Sequence, residues 1–180
     1  KGNYWDSFLN LDFNYDKRNQ KFQTSSGFIS YYSIDIPVVS ENNTLKNYYN
    51  YTNYFDLYDQ NISSLSLMFR MANSITNDNI KLSERINLPS NKLRGFEAGR
   101  VGPRDGDDFI GGNYAVAINF SSTLPQLLEE SQNVDFLFFI DAANVWGVDY
   151  DNTLDDNGSI RSSTGLALDW FTPIGPLNFS

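Results

Sequence analysis

The sequence predicts an all-β chain: an antiparallel transmembrane β-barrel, present here as about seven strands plus the start of an eighth. Three observations predict it. Apolar and polar residues alternate with period two through most of the 180 residues. The alternating runs last about 9–13 residues, the length a tilted strand needs to cross a bilayer. Short turns tend to alternate with long polar connections, as they do between the two ends of an outer-membrane barrel.

Each strand follows from its own alternation. In residues 7–16, Leu9, Leu11, Phe13 and Tyr15 share one face and Asn10, Asp12, Asn14 and Asp16 the other. The next strand is 28–36, with Phe28, Tyr32, Ile34 and Ile36 together; Pro37 is expected to end it, because proline cannot donate to a ladder. A third run, 47–58, aligns Tyr49, Tyr51, Phe55 and Leu57. A fourth, 62–72, sets Leu65, Leu67, Phe69 and Met71 against Ser64, Ser66, Met68 and Arg70. The pattern then lapses and resumes at 111–121, where Tyr114, Val116, Ile118 and Phe120 oppose Asn113, Ala115, Ala117 and Asn119. Residues 134–146 are apolar on both faces, yet Phe136, Phe138 and Ile140 still oppose Asp135 and Asp141. In 159–171, Leu166, Leu168 and Trp170 oppose Arg161, Ser163, Gly165, Ala167 and Asp169, and "LNFS" after the turn at 172–176 begins an eighth strand.

The connections 59–61 and 172–176 are short, whereas 73–108 and 147–159 are long and polar; 121–133 is an intermediate case in which "LPQLLEE" suggests a brief helix. Tyr15, Tyr114, Trp146 and Trp170 fall near strand ends, where interfacial aromatic girdles sit. Aromatics make up 16% of the chain, enough to supply such girdles. A soluble antiparallel sandwich alternates in the same way. Its strands usually run about 5–6 residues, and its inner face does not carry this much Asn, Ser, Asp and Arg.

Composition excludes several functions. The net charge of −9 disfavours a nucleic-acid partner, which needs clustered Lys and Arg. With no cysteine and no histidine, the chain offers no thiol nucleophile, imidazole base or structural zinc site. No apolar run reaches the ~18 residues of a membrane helix. The acidic stretches 104–108 and 149–158 invite a calcium reading, but the loop pattern fails: counting from Asp149, the sixth position is Leu154 and the twelfth Ile160. Neither a phosphate-binding glycine loop nor a nucleophile–base set is present, so no enzyme activity, cofactor or metal is expected. The first residues already read as a strand entrance, so the chain is expected to be an excised part of a longer protein.

The unusual segment is "NKLRGFEAGRVGPRDGDDFIGGN" at 91–113, a charged, glycine-rich passage between strands, with Leu93, Val101 and Ile110 as its only aliphatics. Its "LRGF" (93–96), followed by Gly102-Pro103 and by Gly111-Gly112-Asn113, resembles the sixth extracellular loop of BamA-type outer-membrane assembly proteins, the bacterial surface antigen family. "FFIDAANVWG" (138–147) resembles the family's following strand, and "IRSSTGLALDWFTPIGPLNFS" (160–180) the next strand, turn and strand start. Order and spacing agree over 91–180; over 1–90 the likeness is one of strand pattern.

The resemblance implies that residues 1–180 form the C-terminal part of a sixteen-stranded barrel in the bacterial outer membrane. POTRA modules, the first half of the barrel and the last strand would lie elsewhere. The parent protein would insert and fold β-barrel proteins in the outer membrane. Its partners would be the lipid bilayer, unfolded outer-membrane proteins and assembly lipoproteins. The alternative, from another functional class, is a passive transport or secretion barrel, either a two-partner secretion transporter or a porin-like channel; two rather than five upstream POTRA modules would mark secretion. A soluble β-sandwich binding module is the third reading.

The resemblance also implies that the loop folds into the lumen and fastens to the wall. Arg94 carries a fixed fork of donors, and Asp141 lies on an inward face, so a bidentate pair is expected. Members of the family often carry a second inward carboxylate, at a position corresponding here to Asn119, whose amide is expected to accept a hydrogen bond from Arg94. Gly95 is expected to take a positive φ or to approach the wall closely, and Phe96 to pack on wall side chains. Gly102, Gly111 and Gly112 suit turns and close approach alike.

Overall fold

The structure is a computed structural model, and it describes residues 7–39, 43–59, 61–76, 78–125, 133–149, 153–154, 156, 158–172 and 175–180. The expected helix at "LPQLLEE" falls largely outside the described residues. The long strands are β1 (Ser7–Asp16), β2 (Gly27–Val39), β3 (Thr44–Phe55) and β4 (Ser63–Ser74). A two-residue pair, β5 (Arg104–Asp105) and β6 (Asp108–Phe109), follows within the long loop. Then come β7 (Tyr114–Thr123), β8 (Val134–Trp146), β9 (Arg161–Thr172) and the shorter β10 (Gly175–Phe179).

One continuous eight-stranded sheet runs β1-β2-β3-β4-β7-β8-β9-β10, each neighbour antiparallel. This is one open curved wall with β1 and β10 at its edges, not the two face-packed sheets of a sandwich.

The ladder departs from expectation in two places. Pro37 does not end β2, which continues to Val39. The β2–β3 ladder stops at Asp35↔Lys46, and the β1–β2 register shifts beyond Phe8↔Pro37, so the missing donor falls where one ladder has already finished. The third strand ends at Phe55 rather than near residue 58, because the buried Asn61 gathers the following turn. Its carboxamide oxygen accepts the Leu57 N–H at 3.1 Å, and its amide donates to the Thr123 carbonyl at 2.7 Å.

Alternation gives the wall two different faces. Leu9, Leu11, Phe13, Leu65, Leu67, Phe69, Ile118, Ile140 and Leu166 stay exposed on the outer one. Register brings them side by side, as in Leu67↔Ile118 and Phe120↔Ile140, into an apolar band suited to hydrocarbon. Aromatics mark its margins: Tyr114 stacks on Trp146 at one end, and exposed Tyr15 and Trp170 mark the other.

The inner face is itself divided. Along β1–β3 it is polar, with the Asn10 amide donating to Asp35 and the Tyr31 hydroxyl to Asp12. Along β4, β7 and β8 it is not the wet wall that its composition suggests. Met68, Ala72, Ala115, Ala117, Ala143 and Val145 form a dry patch with Ile80, Ile86, Leu88, Leu93 and Val101 of loop 75–113. Alanine is the reason: at four of these six wall positions the side chain is short enough for another layer of chain to lie against the sheet. At the opposite end of the wall, the turn after β1 reaches across so that Phe22 meets Phe171 edge-on at 5.7 Å.

Because Ile140 lies mid-strand on the outer band, Ile140→Arg should destabilise the barrel by about 2–4 kcal/mol in lipid. Reversible denaturant unfolding in vesicles would measure it. An unchanged midpoint would contradict the lipid-facing assignment.

Candidate functional site

Loop 75–113 is laid against the wall by its few apolar residues. Leu93, Val101 and Ile110, the only aliphatics of the charged segment, are 1%, 4% and 8% exposed. Ile86 and Gly112 exchange backbone hydrogen bonds at 2.7 and 3.0 Å, which closes the loop's base as a small antiparallel bridge. Gly112 has to be glycine there: a Cβ would stand 2.4 Å from the Trp146 carbonyl oxygen. The neighbouring Gly111 (φ +69°) and Gly102 (φ +117°) are close approaches as well, the latter against Val145.

The short 3-10 turn Ser90–Lys92 delivers Arg94 to the inner wall. Arg94 Nε and Nη2 donate to the two carboxylate oxygens of Asp141 at 2.8 and 2.7 Å, and the Arg94 backbone N–H adds a third bond at 3.1 Å. Asp141 has no exposed surface. The pair is therefore bidentate, charge-assisted and shielded on the acidic side. The guanidinium carbon also lies 3.8 Å from the centroid of the Phe139 ring, a cation–π contact.

Phe139 owes its position to Gly165, its cross-strand partner on β9. A Cβ on Gly165 would meet the ring at 2.9 Å. Gly165, Phe139 and Arg94 thus form three layers, wall to loop. Sequence reasoning placed Gly165 on the inward face but missed Phe139, because a phenylalanine within "FFI" reads as lipid-facing; its odd position, in step with Asp141, was the available signal.

Asn119 stands directly opposite Asp141 in the β7–β8 ladder. It does not accept from Arg94 as expected. Its amide nitrogen donates to Asp141 at 2.9 Å and to the Lys92 carbonyl at 3.0 Å. Both neighbours are acceptors, so the nitrogen must face them. Asn119 therefore supports the pair from the acid's side. The same row continues to Ser66 on β4, where Lys92 Nζ donates at 3.3 Å. Burial, then the nearby Arg70 charge, pulls the Lys92 ammonium below its ordinary pKa.

Of two further expectations one is met and one corrected. Gly95 takes the expected positive φ, +82°, rather than the close approach to the wall; a Cβ there would have nothing within 4 Å. Phe96 does not pack on wall side chains. It is 37% exposed and lies among Leu88, Leu93 and Val101 of its own loop. The residue that reaches the wall is Leu93, one place before the arginine.

Gly165→Val should push the Phe139 ring off its seat and cost about 1–3 kcal/mol through overpacking. Combined with Arg94→Ala the two losses should be markedly less than additive, since both act through one stack. A double-mutant unfolding cycle reads this, and simple additivity would refute the three-layer arrangement.

Comparisons with known proteins agree with this architecture. The family model for the Omp85 superfamily domain matches residues 1–180. The outer membrane protein assembly factor BamA of Neorickettsia risticii is 30% identical over 129 residues, covering 69% of this chain and 17% of that protein. A SAM50-like protein of Schizosaccharomyces pombe is 33% identical over 127 residues, covering 65% of this chain and 27% of its own length. The chain therefore spans well under a third of either curated relative. The crystal structure of BamA from Haemophilus ducreyi lacking POTRA domains 1–3 superposes with a TM-score of 0.83 at 26% identity, over 96% of this chain and 37% of that one. With the open antiparallel wall, the lipid-facing band and the inward loop already in place, the chain belongs to the Omp85 superfamily, as a BamA-type barrel segment of the bacterial outer membrane.

Proposed function

We propose that the protein carrying this chain inserts and folds other β-barrel proteins in the outer membrane, with loop 75–113 anchored inside the lumen as part of its working state. The observation that carries the reading is the likeness to proteins named outer membrane protein assembly factor, in Neorickettsia risticii and again in Neisseria meningitidis at 27% identity over 118 residues. The Arg94–Asp141 seat supports the anchored loop: it fixes a long connection by three hydrogen bonds and a ring contact. Unfolded outer-membrane proteins are the substrates on this reading, with the bilayer and assembly lipoproteins as partners. No nucleotide, metal or catalytic side chain is required. The work is done by strand templating and by local disturbance of the bilayer.

The covered inner wall along β4, β7 and β8 disfavours a porin-like passage, because loop and wall bury one apolar cluster there where a passage would need a wetted lining.

The test is replacement of the full-length protein by its Arg94→Ala variant in cells depleted of the native one. Heat-resistant, folded outer-membrane proteins should fall several-fold while the variant itself remains inserted. Arg94→Lys should not restore them, since an ammonium cannot make the bidentate fork. Normal assembly in both variants would defeat the anchored-loop reading. Loss of one secreted partner with normal barrel assembly would move the protein to the secretion branch.

A further inference from the structure

Residues 17–26, between β1 and β2, form a finger at the end of the wall opposite the long loops, the periplasmic end. The finger is bonded to itself. The Asn19 amide donates to Ser25 Oγ at 2.8 Å, and its oxygen accepts the Ser25 and Ser26 N–H groups at 3.2 and 3.3 Å. The Gln20 amide donates to the Gln23 carbonyl and the Thr24 hydroxyl to the Gln20 carbonyl, both at 2.7 Å. Gln23 is held at φ +49°, a left-handed conformation that a non-glycine residue rarely takes. Next to this bend, Phe22 meets Phe171 of β9.

In the sheet order, β9 stands six inter-strand spacings from β1, about 29 Å along the wall. A finger of ten residues extends at most about five residues outward, or ~17 Å. The two rings meet because the wall curves round, so the finger is a chord across its concave side. Wall and finger close a ring round a cavity of about 590 Å³. That volume is within the ~300–1,000 Å³ range of ligand sites. The cavity is separate from loop 75–113, none of whose described residues lines it.

On the wall side, Ser64, Ser121 and Thr123 stand beside two carboxylates, Asp135 and Asp169. The two acids are direct partners in the β8–β9 ladder, an arrangement in which like charges repel. Among the described residues, Asn178 donates to Asp169 and no side chain donates to Asp135. On the finger side, Arg18 is already matched by Asp16 through two bonds at 3.0 and 2.8 Å. Lys21, the other cation of the described lining, stands exposed. A pair of carboxylates thus faces the cavity against one exposed ammonium. A further positive group arriving from the periplasm would lower their mutual repulsion.

We propose that this cavity receives a short extended stretch of unfolded polypeptide, with a lysine or arginine of that stretch seated between Asp135 and Asp169. The identity of the polypeptide, an unfolded outer-membrane protein, rests on the assembly reading. Wall hydroxyls and the finger's Gln20 and Gln23 offer both donors and acceptors, which suits peptide groups. Selection is by charge: an acidic stretch meets two carboxylates and is turned away.

Fluorescence anisotropy of labelled decapeptides on the full-length protein in lipid nanodiscs tests this. The probes share one Ser/Thr/Tyr sequence and differ at a single central residue: Lys, Gln or Glu. The Lys peptide should bind about tenfold tighter than the Gln peptide, the scale of one hydrogen bond to a charged group. The Glu peptide should bind more weakly than either. Asp135→Asn with Asp169→Asn should abolish the preference for Lys and leave the affinity for the Gln peptide unchanged. Heat-modifiable migration checks folding; if the double variant does not fold, Asp135→Asn alone should reduce the preference several-fold. Phe22→Ala should weaken both the Lys and the Gln peptide, because it opens the ring. No barrel is assembled in this measurement. Its failure therefore leaves the assembly reading standing, and normal assembly by Arg94→Ala leaves the peptide preference measurable. Equal affinity of the wild type for all three peptides, or an undiminished Lys preference in folded Asp135→Asn, would overturn the proposal. So would displacement of the Lys peptide by magnesium or spermidine at the peptide's own concentration, which would assign the site to free cations.

Discussion

A carboxylate with no exposed surface must have its charge met by the protein, and Asp141 sets that requirement at the middle of the wall. The demand is satisfied from outside the sheet. Arg94 supplies two guanidinium donors and a backbone N–H, and Asn119 supplies an amide from the next strand. Without loop 75–113 the acid would be left facing the lumen with one neutral donor. Without the acid, the loop would lose the carboxylate that meets the fork of Arg94. Each therefore makes the other's position tenable, and the dry contacts around them follow from that mutual fit.

The same strands solve two opposite solvation problems by parity alone. Ile140 faces outward and Asp141 inward, and one step of the chain separates hydrocarbon from a buried ion pair. A slip of one residue in β8 would bring Asp141 to the lipid and Ile140 to the loop. Register is thus specified from both sides of the sheet at once. Gly165 adds a third constraint, since only the observed pairing puts an absent side chain beneath the Phe139 ring.

Much of this was legible in the residues. Alternation located all seven long strands, and the inward direction of Asp141 followed from parity with Asp135. The likeness of "LRGF" to a known loop supplied its partner. What was not legible depends on contacts between segments far apart in the chain. Phe139 looks lipid-facing until Arg94 is seen above it. Phe96 looks like an anchor until Leu93 takes the wall. Asn119 looks like an acceptor for Arg94 until the Lys92 carbonyl and the Asp141 carboxylate leave it only a donor's part. Asp149 looks like one more solvated acid because its partner, Arg85, lies 64 residues earlier in the chain.

The inner alanines show why composition misled about the lumen. Small apolar residues on an inward face, mixed with Asn and Ser, read as a wall wetted by water. They read equally well as a wall built to receive a second layer of chain, and the two cases differ only in whether apolar residues of matching number exist elsewhere. Here they do: Ile80, Ile86, Leu88, Leu93 and Val101 meet Ala72, Ala115, Ala117 and Ala143. Enlarging those alanines would fill the space the loop occupies, whereas enlarging the loop's own residues would lift it from the wall. The packing therefore divides its labour: the wall contributes vacancy, the loop contributes volume, and the buried charges decide at which height the two come to rest.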